Sequence, residues 1–148
     1  MILRAYQPND FLEVYALFKD TVQRINRKDY SEEQIKAWLQ SDPALFQKRL
    51  LMHKSYVVTD QDKIVGFGDI DDTGYLDHLY VAADNQRTGI ATCLMEQLKK
   101  EVSGSIYADV SITARPFFEK RKYKVVKHQT VLCHGVKLHN YKMVLERG

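Results

Sequence analysis

Apolar residues recur at two distinct periods along this chain, and the change from one to the other divides it. From Asp10 to Asn26, Phe11, Val14, Tyr15, Phe18, Val22 and Ile25 fall at three- and four-residue spacing, which predicts an amphipathic helix. Before it, Ile2 to Tyr6 reads as a strand ended by Pro8, with Asn9 as the helix cap. Ser31-Glu32-Glu33-Gln34 is a capping box and starts a second helix through Trp38 and Leu39. Asp42-Pro43 caps and opens a third, reaching His53.

Beyond His53 the period shortens. Tyr56-Val57-Val58 and Ile64 to Ile70 read as strands joined by a turn at Asp60-Gln61-Asp62-Lys63. Asp71-Asp72-Thr73-Gly74 turns the chain into a third run, Tyr75 to Val81. Strand alternation then predicts Tyr75, Asp77, Leu79 and Val81 on one face and Leu76, His78 and Tyr80 on the other. A helix follows from Ile90 to Glu101, burying Ala91, Leu94, Met95 and Leu98. Next come a strand from Ser105 to Val110 and a helix from Thr113 to Lys122, with Pro116 in its first turn. Two last strands, Val125 to Cys133 and Val136 to Leu145, meet at the His134-Gly135 turn. No repeat or linker interrupts the order, so we expect one α/β domain over 1–148, a mixed sheet with helices on both faces.

Composition narrows what such a domain does. With 148 residues, 45% hydrophobic and 28% charged, a full core is expected rather than disorder. No apolar run approaches the roughly 20 residues that span a bilayer, and Met1 to Tyr6 lacks the layout of a signal peptide. Cys93 and Cys133 form no CxxC, which argues against a disulfide framework, a structural zinc or any other metal site, and both are expected to be structural thiols of a cytoplasmic protein. The net charge of +3 gives no reason to expect nucleic acid or membrane as a partner, although Lys120, Arg121, Lys122, Lys124 and Lys127 cluster.

The segment between the third strand and the next helix carries the chemistry. Asn85-Gln86-Arg87-Thr88-Gly89-Ile90-Ala91 is a polar loop that enters a helix at a glycine. Unpaired N–H groups at such a helix start, with the positive end of its dipole, favour an anion such as phosphate. Gly89 allows close approach, Ala91 keeps the first turn narrow, and Arg87 adds a side-chain donor. The segment lacks the Gly-Lys-Ser/Thr ending of a nucleotide-triphosphate loop and the three glycines of a dinucleotide fingerprint. It does match Gln/Arg-x-x-Gly-x-Gly/Ala through Gln86, Gly89 and Ala91, the pyrophosphate-binding stretch of the GNAT superfamily of N-acetyltransferases.

The element order is also the GNAT order, so the chain resembles that superfamily over nearly its whole length. Ser111-Ile112-Thr113-Ala114-Arg115-Pro116-Phe117-Phe118-Glu119-Lys120 is similar to its Asn-x-x-Ala-x-x-Leu-Tyr-Glu-Lys stretch. Val22 to Trp38, with Lys28-Asp29-Tyr30-Ser31 and Glu33-Gln34-Ile35-Lys36-Ala37-Trp38, resembles a poorly characterised bacterial branch. The resemblance implies acetyl-CoA as co-substrate and direct transfer to a primary amine of a small molecule or protein. It places cofactor contacts at the backbone of Leu79, Tyr80 and Val81, at Gln86, Arg87, Thr88, Gly89, Ile90 and Ala91, and at Ser111. The basic cluster would lie near the rim where the 3′-phosphate of coenzyme A sits.

For catalysis the resemblance points to a carboxylate on the Tyr75–Val81 strand, and Asp77 matches it as base. Pairing with a basic neighbour is the plainer role for Asp77. Asp69, Asp71 and His78 are second choices, for which turn or surface roles are expected. The tyrosine that commonly protonates the leaving thiolate falls at Phe118, which has no proton to give, and the glycine expected before the next aromatic is Lys122. Tyr141 and Tyr30 are the remaining acid candidates. The first helices and the last hairpin border the acceptor side, offering Asn26, Asp29, Tyr30 and Trp38, with Asn140 and Tyr141 similar cases. Exposed edges of the final hairpin suit a homodimer. Two other readings stand: a non-catalytic acyl-CoA-binding or regulatory domain, and a partner- or nucleic-acid-binding module using the basic cluster.

Overall fold

The capped segments of the first third become helices. The computed structural model describes residues 1–148. After β1 (Ile2–Ala5), α1 (Phe11–Arg24) buries Phe11, Val14, Leu17, Phe18, Thr21 and Val22. In α2 (Glu32–Trp38) the Ser31 hydroxyl accepts from Gln34 N–H while the Gln34 side chain accepts from Ser31 N–H, so both bonds of the capping box form. Asp42 caps α3 (Pro43–Met52) by accepting from Ala44 N–H at 3.0 Å. No helix is long and apolar enough to cross a membrane.

Strands β2 (Lys54–Asp60), β3 (Lys63–Ile70) and β4 (Leu76–Val81) then pair antiparallel, giving a sheet in the order β1-β2-β3-β4. A second antiparallel sheet, β5-β7-β6, is built from β5 (Ile106–Ser111), β6 (Lys124–Cys133) and β7 (Val136–Leu145). The sheets touch at one parallel bridge, Tyr75 to Tyr107, where Tyr107 N–H donates to Gly74 O at 3.0 Å. The expected mixed sheet is therefore two antiparallel halves, parallel only at this joint, from which β4 and β5 diverge.

Helices cover both faces. Helix α1 packs against Phe67 and Ile64 of β3, whereas α4 (Ile90–Lys100) covers the opposite face with Ile90, Leu94, Met95 and Leu98. Gly66 makes the second contact possible: a Cβ there would stand 2.6 Å from the Ile90 Cγ2 methyl. Helix α5 (Arg115–Lys120) is about one turn shorter than the predicted span, with Pro116 in its first turn.

One departure from simple alternation matters for function. The β3–β4 register shifts between Asp69 and Ile70, so His78 pairs with Asp69 but Leu76 pairs with Ile70, and Asp77 is the extra residue of a bulge. Leu76, expected beside His78 and Tyr80, instead joins the cluster of Met95, Leu98 and Ile106. Asp77 turns the other way, toward Asp69 and His78.

Candidate active site

The opening between the two sheets is a cleft of about 230 Å³, lined from β4 by Leu76, Asp77, Leu79, Tyr80 and Val81 and from β5 by Ala108 to Ser111. Gln86 and Ala91 close its loop end, and Phe117 and Phe118 its far wall. A second cavity of about 570 Å³ lies on the α3 and hairpin side, bordered by Tyr30, Phe46, Arg49, His78 and Asn140. Trp38, Asp77, Tyr80, Asp109 and Ser111 line both, so the two spaces meet at the splay.

At the loop end, Gly89 has φ +85° and no atom stands within 4 Å of where its Cβ would be. No side chain caps the helix there, which leaves the first-turn N–H groups of α4 facing open space. That cradle suits a pyrophosphate, and the narrow apolar cleft beyond it suits a slender arm, so the residues present fit an acyl-CoA. The loop is held from behind: Thr88 Oγ1 donates to Asn85 O at 2.6 Å, and Gln86 Nε2 donates to Val81 O at 2.7 Å. Val81 O also accepts from Thr21 Oγ1 at 3.2 Å, so this carbonyl is already engaged. Arg87 is exposed on the loop with φ +63°, whereas the Ile90 side chain is buried in the core, only its backbone facing the cradle.

Asp77 occupies the meeting point with its side chain 11% exposed. Burial pushes its carboxyl above the usual range, and the neighbouring Asp69 carboxylate adds to this. Behind it, His53 Nδ1 and His78 Nδ1 each lie 2.7 Å from an Asp69 oxygen and 3.8 Å from Asp77 Oδ2. Asp69 is fully buried; burial opposes its charge, but the histidines outweigh this and hold it below the usual carboxylate range. His53 and His78 both lie above the ordinary histidine value: His53 chiefly through its Asp69 hydrogen bond, His78 through the Asp69 carboxylate against an opposing burial effect. Donor atoms of His53, Asp69 and Asp77 fall within 4.8 Å of one another, and both Asp69 oxygens are engaged at hydrogen-bond distance by the two histidines, which makes the cluster a hydrogen-bonded network.

Other candidates are distributed differently from expectation. Trp38 and Tyr30 do reach the acceptor cavity, with Tyr30 OH donating to His139 O at 2.6 Å and accepting from Ile112 N–H at 3.0 Å. Asn26 lines the cofactor cleft instead. Asp29 borders neither space; its Oδ2 accepts from Thr113 Oγ1 at 2.8 Å. Tyr141 also lies outside both, its ring against His128 and under the Arg115 guanidinium at 4.4 Å. Ser111 lines both cavities while accepting from Ala114 N–H at 3.1 Å. Phe118 is buried against Tyr123. Asp71 has its turn role, accepting from Thr73 and Tyr75 N–H. Asp69 and His78 do not take the turn or surface roles expected of them, because β2, β3 and α3 enclose both. A carboxylate inside the apolar run Ile64 to Ile70 was the signal in the sequence for that enclosure.

Of the basic cluster, Arg121 is committed, stacked 3.5 Å over Phe117 and donating to Thr92 Oγ1 at 2.6 Å. Cys93 and Cys133 are both free thiols. Cys133 lies against Ala37 O, and burial raises its thiol and so disfavours the thiolate.

A splayed αβ fold with an open helix start on one side of the gap and an ionisable strand inside it defines a domain built to handle an acyl-CoA. A family model described as an acetyltransferase (GNAT) domain matches residues 26–145. The chain is 36% identical over 141 residues to YafP, an uncharacterized N-acetyltransferase of Escherichia coli (strain K12), covering 95% of this chain and 93% of that one. The crystal structure of a GCN5-related N-acetyltransferase from Rhodopseudomonas palustris superposes with a TM-score of 0.95 at 32% identity, over 99% of this chain and 95% of that one. PaiA N-acetyltransferase from Thermoplasma acidophilum, in complex with coenzyme A, shares the fold at 14% identity with a TM-score of 0.77, over 99% and 98% of the two chains. The chain described here belongs to the GNAT acetyltransferase family.

Proposed function

We propose that this protein transfers the acetyl group of acetyl-CoA directly to a primary amine, with Asp77 as acceptor of a proton from the attacking nitrogen. The observation that carries this reading is the position of Asp77, a largely enclosed carboxylate with a raised proton affinity at the junction of cofactor cleft and acceptor cavity. Acetyl-CoA, when bound, supplies a thioester whose carbonyl carbon receives the amine's electron pair.

The chain's own groups do the rest. First-turn amides of α4 hold the anionic end, with Arg87 beside them. Leu79 and Tyr80 line the splay, where β4 is the last strand of its sheet, and main-chain groups on its open edge would meet the acetyl oxygen and the pantetheine arm. Trp38, Tyr30 and Phe46 wall the acceptor cavity with aromatic surface, which excludes water and strengthens the electrostatics of Asp77. Phe118 supplies no acid. A thiol of about 8.5 makes a tolerable leaving group without one.

The test is calorimetric titration of acetyl-CoA into the purified chain, followed by thiol release with a panel of primary amines. One-to-one binding and amine-dependent release are expected, with Asp77→Asn lowering kcat by about 10²- to 10⁴-fold and leaving acetyl-CoA affinity unchanged. Binding without release for any amine would instead establish a non-catalytic acyl-CoA-binding domain. Absence of binding to the folded protein would remove the enzymatic reading altogether.

A further inference from the structure

An amine arriving as ammonium has to lose two protons, one before it attacks and one as the amide forms, and Asp77 accounts for only one of them. The acceptor cavity is faced by a second ionisable group. His78 lines it, stacked on Phe46 with ring centroids 4.5 Å apart and planes at 28°. Its Nδ1 lies 2.7 Å from Asp69 Oδ1. Asp69 is 0% exposed, and a carboxylate in that position needs donors on both oxygens. His53 Nδ1 satisfies the other at 2.7 Å. With Asp69 ionised, each Nδ1 is the donor and carries the hydrogen, so neutral His78 keeps the lone pair on Nε2. No protein group hydrogen-bonds to that Nε2.

We propose that the Asp69–His78 pair is the general base that discharges the incoming ammonium, with Asp77 beside it to hold the cation and His53 fixing Asp69 from the other side. This rests on the acetyl-transfer reading above. An N–H bond of the ammonium breaks, the proton moves to His78 Nε2, and the electron pair stays on nitrogen. That pair forms the C–N bond as the C–S bond breaks with its electrons on sulfur. The second N–H proton goes to Asp77 and from there, through solvent, to the departing thiolate, while the imidazolium loses its own to solvent, so both bases return to their starting state.

The charged surroundings favour this division. Asp69 faces His78 from β3 and Asp77 from its own strand, and both carboxylates stabilise the imidazolium, while Arg49 of α3 opposes it and His53 shares Asp69. The balance leaves His78 more basic than an ordinary histidine, which narrows the gap to an alkyl ammonium of about 10.4.

Imidazole NMR on the protein without acetyl-CoA tests the geometry, and pH–rate profiles test the role. One ring, identified by its loss in His78→Gln, should be protonated at Nδ1 when neutral, titrate above the ordinary value of about 6.5, and titrate lower in Asp69→Asn. The acid limb of kcat/KM should follow the same titration and move to lower pH in Asp69→Asn. His78→Gln should lower kcat by about 10²- to 10⁴-fold with acetyl-CoA affinity unchanged. A neutral His78 carrying its proton on Nε2 would overturn the proposal. So would His78→Gln retaining kcat/KM within about threefold of the parent. A parent protein that binds no acetyl-CoA or turns over no amine would refute the acetyl-transfer reading itself, a separate result that removes the inference with it.

Discussion

Replacing Gly89 by alanine separates the backbone cost of the loop before α4 from its proposed use as a phosphate cradle. Gly89 sits at φ +85° and ψ 2°, where an L-residue pays about 1–2 kcal/mol for the contact between Cβ and its own carbonyl. No steric cost adds to this, because no atom of the protein lies within 4 Å of the new methyl. Stability should therefore fall by about 1–2 kcal/mol, and about 2–4 °C in Tm per kcal/mol is expected at this chain length. The methyl projects into the space that a bound pyrophosphate would occupy. Displacing that anion from one amide removes a charge-assisted hydrogen bond worth about 1.5–3 kcal/mol, or about ten- to two-hundredfold in Kd. Urea unfolding reads the first quantity and calorimetry with acetyl-CoA the second. If Gly89→Ala lost stability as stated while Kd moved less than about threefold, the loop would be an ordinary strand–helix joint.

Lys122 is exposed with φ +74°, so Lys122→Gly should relieve left-handed strain and raise Tm by about 2–4 °C, readable by thermal unfolding; an unchanged Tm would mean the lysine is unstrained. Tyr30→Phe removes a donor to His139 O and leaves Ile112 N–H without its acceptor, and a loss of about 1–3 kcal/mol in urea unfolding is expected. Asp10 receives both Arg4 η-nitrogens at 2.8 and 2.9 Å, which holds its carboxyl below the usual range. Its contribution is present above the ordinary aspartate value of about 4 and is lost as pH falls through the lower folded value, so Asp10→Asn should flatten the acid limb of a stability–pH curve.

Local signals carried far in this chain. The Ser31/Gln34 box and the Asp42-Pro43 start are recognisable because their hydrogen bonds close within a few residues. The loop and helix start at Gln86 to Ala91 are legible for the same reason: loop, glycine and first helical turn are contiguous. Alternation failed at Asp77, where one extra residue in β4 reverses the faces of Leu76 and Asp77, and a bulge leaves no mark in hydrophobic period. Asp29 and Tyr141 have suitable chemistry on roughly the right elements, but side-chain direction within those elements takes them to Thr113 and Arg115.

The sequence by itself determined the element order and the superfamily resemblance, since each is written in periodicity or in a short contiguous stretch. Tertiary structure alone decided what stands around Asp77. His53 ends α3, Asp69 lies in β3 and His78 in β4, and only the packing of α3 against the β3–β4 pair brings two imidazoles to opposite oxygens of one buried carboxylate. A long-range register is a property of the packed sheet, and burial then converts it into the altered proton affinities of the site.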